Sequence, residues 1–165
     1  MLTLYNVISQ DGFIARENGD EDFIPDALWT DFLDFCQKND AVIISRKTYE
    51  AIQEYPRNLT ESFENLAIKR VVVTEKSDLV LNSKYLIARS PAEAMTTGQN
   101  LLLSSGAILN QVFLENNLVD QVILNILPIK IGAGIRVFIT QPKLSLITEE
   151  NFPDGRKRCV YRVEK

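Results

Sequence analysis

Histidine is absent from the 165-residue sequence. Its absence excludes a Ser-His-Asp triad, a Cys-His pair and a histidine-based zinc site. Any catalysis must therefore run on carboxylates, hydroxyls, Lys, Tyr, backbone groups or a cofactor, and no metal site is expected. Cysteine is scarce, with only Cys36 and Cys159. The first falls on the apolar stripe of a helical stretch and the second in a strand-like run, so two buried, reduced thiols are expected rather than a disulfide. Basic charge is in deficit, with 18 Lys and Arg against 22 Asp and Glu, a net charge of -4 and a pI near 5.0. The densest basic run, Arg156-Lys157-Arg158, adjoins the turn Pro153-Asp154-Gly155 and reads as a solvated strand end. No nucleic-acid partner is expected, because phosphate binding needs a wider cationic footprint. Apolar runs are too short to cross a bilayer. The apolar start, Leu2 to Ile8, is interrupted by Thr3 and Asn6, unlike a signal peptide. No membrane partner is expected, and the cytoplasm is the expected location. Neither GxGxxG after the first strand nor GxxxxGK[ST] occurs, so the two commonest nucleotide loops are missing.

What is present suits one folded domain over residues 1–165, with 45% hydrophobic and 24% charged residues and no repeat or linker. Leu2 to Ile8 reads as a strand, followed by the turn Gln10-Asp11-Gly12. Leu28, Phe32, Phe35 and Cys36 recur at helical spacing within Pro25 to Gln37. Ala41 to Ile44, Arg70 to Thr74, Tyr85 to Ala88, Leu101 to Leu103 and Val119 to Leu127 read as strands. Helices are expected over Lys47 to Gln53, after Ser90-Pro91-Ala92-Glu93, and over Gly106 to Asn116 with Ile108, Leu109, Val112 and Phe113 facing inward. Leu144 to Thr148 and Lys157 to Val163 alternate around Pro153-Asp154-Gly155 as a hairpin. Strands alternating with helices give an α/β fold with a mostly parallel sheet, which the closing hairpin makes mixed. Ligands in such folds bind beyond the carboxyl ends of the strands, so residues just after each strand become the site candidates.

Five segments qualify. Ile44-Ser45-Arg46-Lys47-Thr48-Tyr49-Glu50 spans a strand-to-helix junction, where free amides and the helix dipole favour an anion; an ordinary Ser-capped helix start explains it as well. Leu103-Ser104-Ser105-Gly106-Ala107 offers small side chains that let a pyrophosphate approach, or merely a tight turn. Asp11-Gly12-Phe13-Ile14-Ala15 reads foremost as a structural turn, and Lys130-Ile131-Gly132-Ala133-Gly134-Ile135 as a bend. Among Asp26, Asp31 and Asp34 of the acidic helix, at most one faces a site; the others form a solvated face.

Taken in order, these segments give the chain a family likeness. The stretches Ser9 to Ala15, Ala41 to Glu50, Arg70 to Thr74, Gly106 to Leu109, Phe113 to Glu115, Leu118 to Gln121, Pro128 and Ile131 to Phe138 span nearly the whole chain. It resembles the dihydrofolate reductase superfamily, and within it the branch of the reductase domain of the bifunctional riboflavin-biosynthesis deaminase/reductase. The resemblance implies a three-layer αβα sandwich with NADPH as cofactor. It implies hydride transfer to a C=N or C=O carbon of a pterin-like or ribosylated pyrimidine. It places Val7 and Ile14 at the nicotinamide, and Ser45, Arg46 and Thr48 at the cofactor phosphates. Thr74 and Lys76 fall near the adenosine phosphate, while Ser105, Gly106, Ala107 and Ile108 cradle the pyrophosphate. Asp11 lies on the substrate side, and a proton comes from Asp11, Asp31 or water. The branch also implies a homodimer formed through sheet edges and the region of Pro128 to Phe138, with Val122 to Leu127 gaining burial. The chain departs from the pattern with Ser45 and Ser105 where glycines are usual, with Glu75 beside the expected phosphate, and with Trp29 where true dihydrofolate reductases carry a substrate carboxylate. These departures motivate an alternative, a dimeric binding domain that kept the fold and lost catalysis.

Overall fold

The computed structural model describes residues 1–165. Along the chain the elements are β1 (Leu2–Ser9), β2 (Phe13–Ala15), α1 (Ala27–Gln37), β3 (Ala41–Ser45), α2 (Arg46–Gln53), α3 (Arg57–Glu64), β4 (Lys69–Val73), β5 (Leu86–Ala88), α4 (Pro91–Met95), β6 (Leu101–Leu103), α5 (Ala107–Glu115), β7 (Gln121–Leu127), β8 (Ile135–Arg136), β9 (Leu144–Asn151) and β10 (Lys157–Val163). Eight strands belong to one mostly parallel sheet and two to a small antiparallel pair, giving the mixed α/β class expected from the sequence. Chain contacts gather into two compact units, Met1 with residues 26–105, and residues 2–25 with 106–165.

In the first unit the strands run β5-β4-β3-β6, all parallel. Strands covered on both faces carry continuous apolar runs, and Ala41 to Ile44, Val71, Val72 and Leu101 to Leu103 are all buried. Leu28, Phe32 and Cys36 form the buried stripe of α1, as their spacing predicts. The sequence gives little sign of α3, whose single fully buried residue is Phe63. Arg70 is buried against that ring, its guanidinium 5.7 Å from the centroid, and donates to the carbonyls of Glu64, Leu66 and Ile68. One side chain thus satisfies the orphan carbonyls that end α3 and begin the next strand.

In the second unit the order is β1-β7-β10-β9, with β1 and β7 parallel and β10 antiparallel to both neighbours. The hairpin forms as expected, and Gly155 at its turn has φ of +84°. Two expectations are corrected. Ile108 does not face inward; it is 70% exposed, and α5 instead buries Ala107, Asn110, Gln111 and Phe113. Hydrophobicity alone misplaces that stripe because its polar members are satisfied. Asn110 Nδ2 donates to Asn6 Oδ1 at 3.0 Å and to the Val137 carbonyl at 3.3 Å. Gln111 Oε1 accepts the Thr140 amide at 3.1 Å. The run Val122 to Leu127 also needs no second subunit for burial, since β7 lies between β1 and β10 within one chain. The exposed edge of this unit is β9, where Leu146 and Ile147 stay 55% and 45% exposed.

Candidate functional site

The parallel register of β3, β4 and β6 brings the carboxyl ends of these strands to one edge. There three hydroxyls meet. Ser45 is the N-cap of α2 in an extended conformation (φ -82°, ψ 164°), and its Oγ accepts the Thr48 amide at 3.2 Å. Its Oγ also lies 3.0 Å from Thr48 Oγ1, which is 3.4 Å from Ser105 Oγ. Ser105 Oγ in turn accepts the Ser45 amide at 3.2 Å. Segments sixty residues apart are thereby held together at a helix N-terminus, where the first amides lack intrahelical partners and the dipole favours negative charge. Ser45 does not need the positive φ that would demand glycine, and Ser105 contributes a hydrogen bond, so neither departure strains the backbone. Arg46 pairs with Glu50 at 2.6 Å on the exposed side of α2.

Beyond β4, Thr74 is buried and its Oγ1 accepts the Lys76 amide at 3.1 Å. The neighbouring strand β5 delivers Arg89, which sequence reasoning missed. Its Nη1 donates to the carbonyls of Thr74 at 3.4 Å and Lys76 at 2.6 Å, so a second cation stands beside Lys76 and exposed Glu75. The signal was available: Arg89 directly follows β5, as Thr74 follows β4, and Val73 pairs with Ala88. In α1, Asp26 and Asp34 are exposed and Asp31 is half-buried, leaving Asp31 as the one acid of the three turned from open solvent. Trp29 donates from Nε1 to Ser62 Oγ at 2.9 Å and packs among Phe32, Tyr55 and Phe63.

In the second unit Val7 is half-buried on β1, Ile14 is buried on β2, and Gly106 caps α5 ahead of buried Ala107 and exposed Ile108. Asp11 serves as a clamp. It accepts from Ser9 Oγ at 2.6 Å, from the Ile131 amide at 3.3 Å and from the Gly132 amide at 2.8 Å. The Ser9 bond, with help from the two amides, holds its carboxyl down at about 2. A group so acidic keeps no proton to donate at neutral pH. The bend that Asp11 grips depends on glycine twice. Gly132 has φ of +79°, and a Cβ on Gly134 would run into the Ala15 carbonyl.

A shallow cavity of about 690 Å³ lies at the opposite, amino edge of β3, β4 and β6. Its polar groups are engaged, with Asp40 accepting the Gln99 and Asn100 amides and Lys69 donating to the Thr97 carbonyl. It has no part in the candidate site. No helix is long and apolar enough to cross a membrane.

Comparison with solved structures gives the class. The chain superposes on Acinetobacter baumannii RibD with a TM-score of 0.78, at 19% identity, over 99% of this chain and 57% of that one. It superposes on Enterococcus faecalis dihydrofolate reductase, solved in complex with NADP(H), with a TM-score of 0.68, at 13% identity, over 100% and 97%. These likenesses identify a dihydrofolate reductase-like fold. Residues 1–155 match the RibD C-terminal domain, and the chain belongs to that family. It is also 29% identical over 144 residues to the uncharacterized protein YwjB of Bacillus subtilis (strain 168), covering 82% of this chain and 80% of the relative. Membership supports a reductase-like role.

Proposed function

We propose that this protein is a single-domain NADPH-dependent oxidoreductase acting on a pterin-like or ribosylated pyrimidine substrate. The observation that carries the reading is the ring of Ser45, Thr48 and Ser105 hydroxyls at the start of α2, a polar, amide-rich corner suited to a phosphate. In this reading Ser45, Arg46, Thr48 and Ser105 hold the pyrophosphate, and Gly106, Ala107 and Ile108 keep the phosphate-binding role that the family resemblance implies for them. Arg46 would have to exchange its Glu50 partner for the phosphate, and Ile108 would act through its backbone. Lys76 and Arg89 supply the charge for the adenosine phosphate, with the Thr74 turn holding them and offsetting Glu75. Val7 and Ile14 form the apolar wall for the nicotinamide. Bound NADPH would supply the hydride, while the chain orients both partners and excludes water. Asp11 shapes the loop on the substrate side through its grip on Ile131 and Gly132. The proton then falls to Asp31 or water.

The test is a fluorescence titration of the lone Trp29 with NADPH and with NADH, which lacks the extra phosphate. NADPH should bind at least about tenfold more tightly, a difference of about 1.4 kcal/mol. Lys76→Ala should remove most of that preference while leaving NADH binding unchanged. Equal affinities, or no saturable response to either nucleotide at millimolar concentration, would contradict the proposal.

A homodimer through β9 accompanies this reading. An antiparallel pairing of two copies centred on Leu146 would bring exposed apolar side chains together and set Lys143 of each opposite Glu149 of the other.

A further inference from the structure

Glu75, in the turn after β4, is left without a task by the adenosine-phosphate reading. Its backbone is fixed on both sides. The Thr74 amide donates to the Ala88 carbonyl at 3.0 Å, and the Lys76 amide to Thr74 Oγ1 at 3.1 Å. Arg89 Nη1 donates to the carbonyls of Thr74 at 3.4 Å and Lys76 at 2.6 Å, one on each side of Glu75. The Glu75 carboxylate itself is exposed and takes no hydrogen bond or ion pair. Elsewhere on the surface, exposed acids beside a cation do pair with it: Asp22 with Arg16, Glu50 with Arg46, Glu61 with Arg57 and Glu149 with Lys157. At this turn Arg89 instead directs its donor at two neutral carbonyls. A preset turn therefore holds an uncommitted carboxylate beside two cations, Lys76 and Arg89. The two kinds of charge favour different ligands. Cations attract a phosphate, whereas a carboxylate repels it and accepts from a hydroxyl.

Strand register locates this carboxylate. Ser45, Val73 and Ala88 lie opposite one another across β3, β4 and β5. The turn after β4 thus begins one strand spacing, about 5 Å, from the start of α2. A ribose is one ester link from a diphosphate seated on the α2 amides, which brings it to that turn. At dinucleotide sites an acidic side chain accepts from the ribose 2′-hydroxyl, and a basic one accommodates a phosphate on the same carbon. This turn carries both. We propose that Glu75 sets the nucleotide preference of the corner. Its carboxylate accepts from the adenosine-ribose 2′-hydroxyl of NADH and repels the 2′-phosphate of NADPH. NADH therefore binds as a second, weaker nucleotide, and the preference that Lys76 and Arg89 confer is held down. This inference rests on the reading of the Ser45, Thr48 and Ser105 corner as the phosphate seat. Under it, Glu75 is a specificity-determining residue and not the mark of an eroded site.

The experiment is a calorimetric titration of the full chain with NADPH, NADH and 2′-deoxy-NADH, which lacks the hydroxyl in question. Glu75→Gln should tighten NADPH binding roughly tenfold, the size expected when a solvated unit charge beside a phosphate dianion is removed. The same variant should weaken NADH roughly fivefold, as for a lost hydrogen bond to a charged acceptor. The native chain should bind 2′-deoxy-NADH about as weakly as the variant binds NADH, and the variant should no longer tell the two apart. Glu54→Gln makes the same change of charge at the far end of α2 and should leave all three affinities unchanged. Opposite movement of NADPH and NADH is a signature that loss of a merely structural contact does not give, since that weakens both. An unchanged ratio of NADPH to NADH affinity, or a parallel change in the two, would overturn the proposal and leave the NADPH reading standing. Binding of no nucleotide at all would overturn both.

Discussion

Asp11 accepts three hydrogen bonds, one from Ser9 two residues away and two from backbone amides 120 residues further on. Those donors favour the charged form, which is why its carboxyl is held down at about 2, below the ordinary aspartate range. Because the folded value lies below the unfolded one, the clamp contributes stability at pH above about 4 and loses it as pH falls toward 2. An NMR titration of the Asp11 carboxyl carbon should give that low midpoint. Asp11→Asn should flatten the acid limb of the stability curve and speed exchange of the Gly132 amide. A midpoint near 4 would remove the clamp. Arg156 and Arg158 show what single residues conceal in sequence. An arginine beside a Pro-Asp-Gly turn reads as solvated, and only strand register reveals that Asn125 draws two of them inward.

At the scale of elements, the strands were legible because parallel, doubly covered sheets require unbroken apolar runs, as in Ala41 to Ile44 and Leu101 to Leu103. Ser90 and Ser45 mark helix starts by chemistry that needs no tertiary context, and both caps form. The helix α3 was hidden because Arg57–Glu64 buries only Phe63 fully, too little for a visible period. The α5 stripe was misjudged because Asn110 and Gln111 are buried through hydrogen bonds to residues distant in sequence. Within the candidate site, the Ser45 and Ser105 corners were legible as strand ends before helices, but their mutual hydrogen bonding was not. The cap at Ser45 gives a sharp test. Ser45→Ala should lower stability by about 1 kcal/mol and Ser45→Gly by only a few tenths, read from urea midpoints at constant slope. Equal, negligible effects would show that the hydroxyl cluster contributes nothing to the start of α2.

For the whole molecule, two surfaces remain to be filled in the proposed reading: the β9 edge and the dinucleotide corner. An edge strand with exposed Leu146 and Ile147 is a pairing hazard unless a partner covers it. Sedimentation should show a dimer that Leu146→Lys converts to monomer with little change in NADPH affinity. A monomeric native protein at micromolar concentration would contradict the β9 pairing. The central claim, that the residues after β3, β4 and β6 bind NADPH, is tested most directly by mapping amide resonances during an NADPH titration. The amides of Arg46, Lys47, Thr74 and Lys76 should shift together along a single saturation curve. Shifts scattered over the surface, or absent at millimolar NADPH, would contradict it.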